Sequence, residues 1–310
     1  MTYPDTVMTT ADRLRAHLDV VIGERHPVNS AAHHGAVARY IRDTFAVNKW
    51  AVSDQIFQEP HAVGTNVIGR RVGQERPERI WMVGAHYDTV IGTPGADDNG
   101  IAVAALLELA TALADTDFRD TVQLVAWDME ERQGMGPLSS LRGSRHMAKQ
   151  ARAEGLDIAG VLDLEMIGLC NHAPGSQQFP LGFATLFPAL ARSMDERQHR
   201  GDFLAAIGRP NGAHLLAALE RAAEAVGLPL MTLMVAGRAR LIRHFYRSDH
   251  APFWRAGYPA LMLTDTADFR NGHYHRPGDT IETLDFDFAA RVTRATLGAL
   301  RDLAGAKDRA

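Results

Sequence analysis

Histidines and acidic residues follow apolar, strand-like segments at several places in this 310-residue sequence. In the first of these segments, His86-Tyr87-Asp88 comes directly after the apolar run Arg79–Ala85, so we expect His86 at the carboxyl end of a strand. Asp88 could accept a hydrogen bond from the ring nitrogen that His86 does not give to a metal, which commonly fixes a ligating tautomer. Considered alone, this spacing suits a hydrogen-bonded surface pair equally well.

Two further acidic segments follow along the chain. Asp97 and Asp98 lie in a glycine-flanked turn that opens a helix, where acids also serve as caps and as partners of the helix dipole. Three acids, Asp128, Glu130 and Glu131, follow directly after the apolar strand Thr121–Trp127. An exposed charge run is the alternative, but acids that interrupt an apolar strand favour a site.

The last two segments combine buried acids with histidines. Asp163 and Glu165 lie two residues apart in an apolar strand, so both side chains point to one face of the sheet. Burying ionised carboxylates is costly unless they meet a cation, which favours a metal. His273 and His275 follow in a later loop, and either could ligate on spacing alone. Together these nitrogen and oxygen donors suit Zn²⁺.

The elements that must position these side chains alternate between strands and helices. Strands separated by helices predict an α/β fold with a mixed, mainly parallel sheet sandwiched between helices. In such folds ligands bind beyond the carboxyl ends of the strands. The segment Cys170–Asp202, rich in Pro, Gly and Gln, is predicted to be irregular. Helices are predicted at Thr10–Ile22, Ala31–Phe45, Ile101–Leu113, Arg145–Glu154, Ala213–Val226, Ala251–Arg255 and Phe286–Leu303, and strands at Arg79–Ala85, Thr121–Trp127, Ile158–Ile167, Leu230–Val235 and Pro259–Leu263.

Composition limits the class of protein. Hydrophobic residues make up 46% and charged residues 23%, which is typical of a globular chain, and we expect residues 1–310 to form a single domain. The net charge is −4 without a Lys/Arg run, so nucleic acid is not an expected partner. Neither a signal peptide nor a bilayer-length apolar run is visible, so we expect no membrane association and a cytoplasmic protein, unless a leader was removed. The oligomeric state stays open.

Taken in order, the motifs resemble the co-catalytic two-zinc aminopeptidase family, which also includes glutamate-carboxypeptidase-type peptidases and glutaminyl cyclases. The resemblance spans roughly residues 80–285 and implies a zinc-aminopeptidase-like fold. It rests on His86-x-Asp88, Gly95-Ala-Asp-Asp98-Asn, Glu130-Glu131, Gly143-Ser144, Glu165-Met-Ile-Gly and Tyr274-His275-x-Pro-x-Asp-Thr.

The resemblance implies a ligand set for two zinc ions per chain. His86, Asp98 and Glu165 would hold one ion. Asp98, Glu131 and His275 would hold the other, so Asp98 would bridge the two. Either Asp163 or Glu165 could fill the third position, and Glu165 is preferred because it lies nearer the carboxyl end of its strand.

The resemblance also assigns the remaining roles. Glu130 would be the general base, Asp88 would be the catalytic partner of His86, and the peptide bond between Asp98 and Asn99 would be cis. A Ser-His-Asp mechanism at Ser248-Asp249-His250 is disfavoured, because three consecutive side chains cannot easily meet in relay order.

The expected activity is that of a zinc exopeptidase, most simply an aminopeptidase acting on peptide or aminoacyl substrates. A glutaminyl cyclase, or a carboxypeptidase or dipeptidase of the same fold, is the alternative. The segment Arg132–Arg142 is longer than in the simplest aminopeptidases, which resembles the cyclases. Tyr246, Arg247 and Asp249 are the candidate substrate-binding residues: Tyr246 could support an oxyanion, and Arg247 could grip a carboxylate or form an ion pair.

Overall fold

The computed structural model describes residues 8–59, 62–132, 139–237 and 242–308, and its centre is a mixed β-sheet. The described strands are β1 Ala51–Gln58, β2 Val63–Arg71, β3 Arg76–His86, β4 Thr116–Phe118, β5 Asp120–Trp127, β6 Asp157–Glu165, β7 Leu204–Gly208, β8 Leu230–Met234, β9 Ala260–Thr264 and β10 Ala306–Asp308. Among these, β4 and β10 form a separate small ribbon, and the other eight form one sheet in the order β1-β2-β5-β3-β6-β9-β7-β8.

The middle of the sheet is parallel, and an antiparallel pair joins it to the strands on either side. Strands β5, β3, β6 and β9 are mutually parallel neighbours. Strands β1 and β2 form an antiparallel edge, and β7 pairs antiparallel with β9. The carboxyl ends of the four central strands therefore lie at one edge of the sheet, where His86, Trp127, Glu165 and Thr264 are the last strand residues.

Helices cover both faces of this sheet. The described α-helices are α1 Thr10–Val21, α2 Ala31–Val47, α3 Ile101–Ala112, α4 Arg142–Glu154, α5 Phe183–Leu186, α6 Pro188–Glu196, α7 Ala213–Ala225, α8 His250–Ala256 and α9 Phe286–Ala304. One apolar core joins α1, α2, α3, α7 and α9 to the sheet, and a second joins α4 and α8 to its other face. Adjacent residues of β3 show the alternation, since Met82 lies in the second core and Val83 in the first. The predicted fold class is confirmed.

The elements around the predicted site follow the prediction closely, and the differences lie elsewhere. The hairpin β1–β2 was not predicted, because β1 is mostly exposed and shows no apolar run. Strand β7 has the sequence Leu-Ala-Ala-Ile-Gly, and alanine and glycine are poor indicators of a strand. The segment Cys170–Asp202 is less irregular than expected because it contains α5 and α6. No described helix is long and apolar enough to cross a bilayer.

Candidate metal centre

Among the described residues, three overlapping groups of histidine and carboxylate side chains that could hold a metal ion meet at the carboxyl ends of the central strands: one is His86, Glu130 and Glu131, and the other two share Asp98. In the first of the two that share Asp98, His86 Nε2 lies 3.3 Å from Asp98 Oδ1 and 3.6 Å from Glu165 Oε2. In the second, His275 Nε2 lies 3.2 Å from Asp98 Oδ2 and 3.1 Å from Glu131 Oε1. Within each group the donor atoms lie within 4.8 Å of one another. Each oxygen of the shared Asp98 faces a different histidine.

The loop that carries Asp98 is fixed by hydrogen bonds from its own backbone. Asp279 accepts from the backbone N–H of Asp97 at 2.8 Å and from that of Asp98 at 3.1 Å. The Asp98–Asn99 peptide bond is cis, which confirms the expectation from the family resemblance. The loop therefore presents the Asp98 carboxylate to both histidines from an anchored backbone.

Asn99 ties the same loop to the end of β6. Its side-chain amide donates to the carbonyl oxygen of Leu164 at 2.8 Å and accepts from the backbone N–H of Met166 at 2.9 Å. These contacts lie on either side of Glu165, so the backbones of Asp98 and Glu165 are held in register. The sequence motifs included Asn99 and Asp279 but gave no sign of these roles.

Asp88 links the end of β3 to the acids that follow β5. Its carboxylate accepts from the backbone N–H of Glu130 at 2.9 Å and from that of Glu131 at 3.1 Å. Its Oδ1 also lies 3.5 Å from Nδ1 of His86, although that nitrogen lies closer, at 3.2 Å, to the Asp88 carbonyl oxygen. Asp88 therefore contacts His86 as expected, and it also orients the Glu130-Glu131 backbone, which was not predicted.

The turn before Glu130 is an unusual one. Met129 has a φ of 55°, and Met166, directly after Glu165, has a φ of 48°. Left-handed backbone is uncommon for residues other than glycine and is often found at functional sites, where surrounding contacts hold it. Here the backbone N–H of Leu141 donates to the carbonyl oxygen of Glu130 at 2.7 Å, which helps to hold the turn.

Residues 133–138, inside the long segment noted from the sequence, lie outside the described residues.

The buried, closely spaced carboxylates of the centre favour binding of a cation. Burial, followed by the charge of Asp98, raises the pKa of Glu131 to about 7. Burial also raises the pKa of Glu130 well above its ordinary value. For His275, burial alone would lower the pKa, but the contacts to Asp98 and Glu131 raise it to about 10. Carboxylates crowded in this way stay ionised most readily when a positive ion lies among them.

A buried ring nitrogen of His86 indicates whether the site suits a metal ion. His86 Nε2 is buried and has no hydrogen-bond partner among the described residues, yet it points toward carboxylate oxygens of Asp98 and Glu165. Such a nitrogen is costly unless it is satisfied, and a metal ion among these donors would satisfy it. Mixed imidazole and carboxylate donors suit Zn²⁺, so the residues present fit the metal.

The structure separates the two acids of β6. Glu165 reaches the centre, while Asp163 is buried behind it and belongs to none of the three donor groups. Asp163 Oδ2 accepts from the backbone N–H of His250 at 2.9 Å and lies 3.1 Å from Nδ1 of the same histidine. The Ser248 hydroxyl lies between the two acids, 2.8 Å from Asp163 Oδ2 and 2.6 Å from Glu165 Oε2. The geometry therefore agrees with the preference for Glu165 over Asp163. The same comparison separates the two loop histidines, since His275 and not His273 lies in a donor group.

The candidate substrate-binding residues are placed differently from one another. Tyr246 and Arg247 line the cavity in front of the centre, but Asp249 is fully buried and does not. The described geometry therefore gives Asp249 no exposed surface toward the cavity, and its substrate contact stays a prediction. Arg247 donates to Asp268 at 2.9 Å and to the Tyr274 hydroxyl at 3.1 Å, so its ion-pair partner is Asp268.

The cavity has a volume of about 1520 Å³, and Asp98, Glu130, Glu131, Glu165 and His275 all contribute to its lining. The centre is therefore buried among protein atoms on one side and open to a ligand on the other. Together, the fold and this centre define a class: α/β proteins with a histidine–carboxylate site for divalent metals beyond the carboxyl ends of parallel strands.

Comparison with known proteins places the chain within that class. The chain belongs to peptidase family M28, whose model matches residues 66–300. It is 32% identical over 272 residues to the uncharacterized Escherichia coli protein YfbL, covering 85% of this chain and 78% of that protein. It is 29% identical to a protein of the fungus Pyrenophora tritici-repentis that is named a probable zinc metalloprotease, covering 78% of this chain and 52% of that protein. The chain thus spans about half the length of this fungal relative.

Solved structures share the fold at lower identity. A glutaminyl cyclase of Macrostomum lignano matches with a TM-score of 0.70 and 18% identity, covering 99% of this chain and 95% of that one. The zinc aminopeptidase BSAP of Bacillus subtilis matches with a TM-score of 0.55 and 20% identity, covering 79% of this chain and 51% of that one. The family resemblance and the fold expected from the sequence are both confirmed.

Proposed function

We propose that the protein is a zinc-dependent exopeptidase, most simply an aminopeptidase, that holds two zinc ions. The observation that carries the proposal is the pair of donor groups that share Asp98. Membership of peptidase family M28 and the metalloprotease name of the fungal relative support peptide hydrolysis and zinc. His86, Asp98 and Glu165 would hold one ion, and Asp98, Glu131 and His275 the other.

Zinc bound here would supply Lewis acidity toward the scissile carbonyl and would make a water molecule more acidic at neutral pH. Glu130 would take the proton from the attacking water and return it to the leaving amine, the ordinary work of a general base and acid. Its position supports this role, because it lines the cavity beside the ligand Glu131 while Asp88 holds its backbone.

Glutaminyl cyclisation is the second candidate, because the family resemblance includes cyclases. A cyclase would use the same cavity, but its substrate amine would attack in place of water. The two donor groups that share Asp98 support hydrolysis, because two neighbouring metal ions can activate a water molecule and polarise a carbonyl together.

Substrate screening combined with metal analysis tests the proposal. The zinc-loaded protein would be assayed with free and amino-blocked peptides, aminoacyl anilides, carboxypeptidase substrates and peptides that begin with glutamine. We expect about two zinc ions per chain and hydrolysis that requires a free amino terminus. Cyclisation with about one zinc per chain would support the second candidate, and hydrolysis of amino-blocked peptides from the carboxyl end would replace the aminopeptidase assignment. Absence of all these reactions in a fully zinc-loaded, folded protein would overturn the proposal.

A further inference from the structure

The cavity that holds the candidate centre has a strongly basic wall. Arg145, Lys149 and Arg152 of α4 are spaced four and three residues apart, so they share one face of the helix. Arg255, near the end of α8, lines the same cavity, and α4 packs against α8. These four residues are called the basic patch below.

Three of the four cations of this patch have no acidic partner among the described residues. No ion pair to Lys149, Arg152 or Arg255 occurs within the part of the chain that the structure describes. Arg152 donates instead to the carbonyl oxygen of Ala256 at 2.8 Å, and the Arg255 guanidinium lies 5.8 Å from the centre of the Tyr246 ring. Burial and then the charge of Arg255 lower the pKa of Arg145, as expected for cations placed close together.

The acidic residues among the described residues that line the cavity lie outside the basic patch. Asp98, Glu130, Glu131 and Glu165 belong to the candidate metal centre, and Asp268 is paired with Arg247. The cavity therefore has an acidic end suited to metal ions and a basic wall suited to an anion. Such an arrangement would orient a ligand that carries a negative charge away from its reacting bond.

The rest of the cavity suits a peptide longer than one residue. Its volume of about 1520 Å³ is larger than the roughly 300–1,000 Å³ of typical small-molecule pockets. Phe179, Ile207, Met231, Leu233 and Met262 add an apolar lining against which substrate side chains could pack. A peptide could therefore reach both the centre and the basic patch.

We infer that the basic patch binds a carboxylate of the substrate at a position remote from the scissile bond. Arginine suits this role because its planar guanidinium can donate two parallel hydrogen bonds to one carboxylate. The carboxylate could belong to an acidic side chain or to the carboxyl terminus of a short peptide, and both present the same chemistry. This inference rests on the proposed peptidase function and deepens it by naming a substrate class.

Matched peptides test the inference and separate the two sources of the carboxylate. One pair differs by Glu against Gln at a residue after the cleavage site, with the carboxyl terminus amidated in both. A second pair, free of acidic side chains, differs by a free against an amidated carboxyl terminus. For at least one pair, we expect kcat/KM to be about 10-fold higher for the charged member, a difference of about 1.4 kcal/mol. The difference should arise from a lower KM and not from a higher kcat.

Variants locate the preference in the patch. R255Q and R152Q should each reduce the ratio of kcat/KM between charged and neutral peptides, and the double variant should bring it close to 1. R39Q is the matched control, because Arg39 is an exposed arginine on α2, a helix that packs on the opposite face of the sheet. R39Q should leave the ratio unchanged. Thermal unfolding of every variant would show that each is folded.

A binding measurement keeps the test independent of turnover. Calorimetric titration of the E130Q protein with the same peptides should show tighter binding of the charged member, and higher salt should weaken the difference. A wild-type enzyme that hydrolyses both members of each pair equally, with equal binding, would overturn the inference and leave the peptidase proposal standing. An unchanged ratio in the folded double variant would also overturn it. An enzyme that hydrolyses no peptide would instead contradict the proposed function.

Discussion

The candidate metal centre and the basic patch face the same cavity but are built in opposite ways. The ligands of the centre are mostly buried, and Asp279, Asp88 and Asn99 hold the backbone of the segments that carry them. The patch consists mainly of long, exposed side chains such as Lys149 and Arg255 that extend from helix surfaces. Chemistry that needs fixed distances is placed on an anchored backbone, whereas recognition of a charged group uses side chains that can adjust.

Two arginines sharpen this comparison. Arg25 is fully buried, and its guanidinium donates to backbone carbonyl oxygens on the segments that lead to Asp88 and Asp98. Its acceptors are the carbonyl oxygens of Val21, Gly23, Tyr87, Pro94 and Gly95. Burial lowers its pKa to about 10, so it stays protonated at neutral pH. Arg25 is part of the framework behind the centre, while Arg255 faces the ligand space.

The largest expected effect is on catalysis. Glu130→Gln should reduce turnover by about 10²–10⁴-fold, because an amide keeps the shape of the carboxylate but cannot accept the proton. Metal content, measured by mass spectrometry, should stay at the wild-type level. Glu131→Gln is the contrasting variant and should lose part of the bound metal. Near-normal turnover of a fully loaded Glu130→Gln protein would show that another group is the base.

The second effect compares the two arginines directly. Arg25→Met should lower the free energy of unfolding by about 3–5 kcal/mol, because it leaves buried carbonyl oxygens without a donor and removes a buried cation among acids. Arg255→Met, an exposed site, should change it by no more than about 0.5 kcal/mol. Urea unfolding of both variants checks this. Equal free energies of unfolding for the two variants would contradict the prediction that the buried arginine contributes more to stability than the exposed one.

The third prediction concerns the two acids of β6. Asp163→Asn should lower the free energy of unfolding by about 1–3 kcal/mol and keep the metal, since its partners are Ser248 and His250. Glu165→Gln should instead weaken metal binding with a smaller loss of stability. Zinc titration and thermal unfolding of both variants separate the outcomes. Zinc loss in Asp163→Asn with full occupancy in Glu165→Gln would reverse the ligand assignment.

The smallest effect is a pH dependence next to the centre. His34 Nε2 lies 2.8 Å from Asp128 Oδ1. Burial alone would lower the pKa of His34, but the hydrogen bond and the charge of Asp128 outweigh it and raise the pKa. The pair therefore stabilises the fold fully below about pH 6.5, the ordinary histidine value, and this contribution is lost as the pH rises through the raised pKa.

His34→Gln isolates this contribution, because glutamine can donate to Asp128 but does not titrate in this range. The stability difference between wild type and His34→Gln should shrink between pH 6 and pH 9, by about 1 kcal/mol or less. Urea unfolding at several pH values measures it. A difference that stays constant across this range would show that the pair does not titrate as described.

Local patterns were sufficient for the elements that carry the centre. Apolar runs predicted β3, β5 and β6, and acids or a histidine at their ends marked the sites of His86, Glu130 and Glu165. The ladder register and the sheet order then bring these ends together. Strand β1 escaped prediction because a mostly exposed edge strand leaves no apolar pattern in the sequence.

The sequence by itself determined the types of donor, their positions at strand ends and the family, because these depend on residue identity and short spacing. Only the tertiary structure decided that Arg25 supports the loops before Asp88 and Asp98, that Asp249 is buried, and that α4 and α8 join in one basic patch. These features depend on contacts between residues far apart in the chain. Burial and charge compensation arise only when the packed elements exclude water, so short sequence patterns do not contain them.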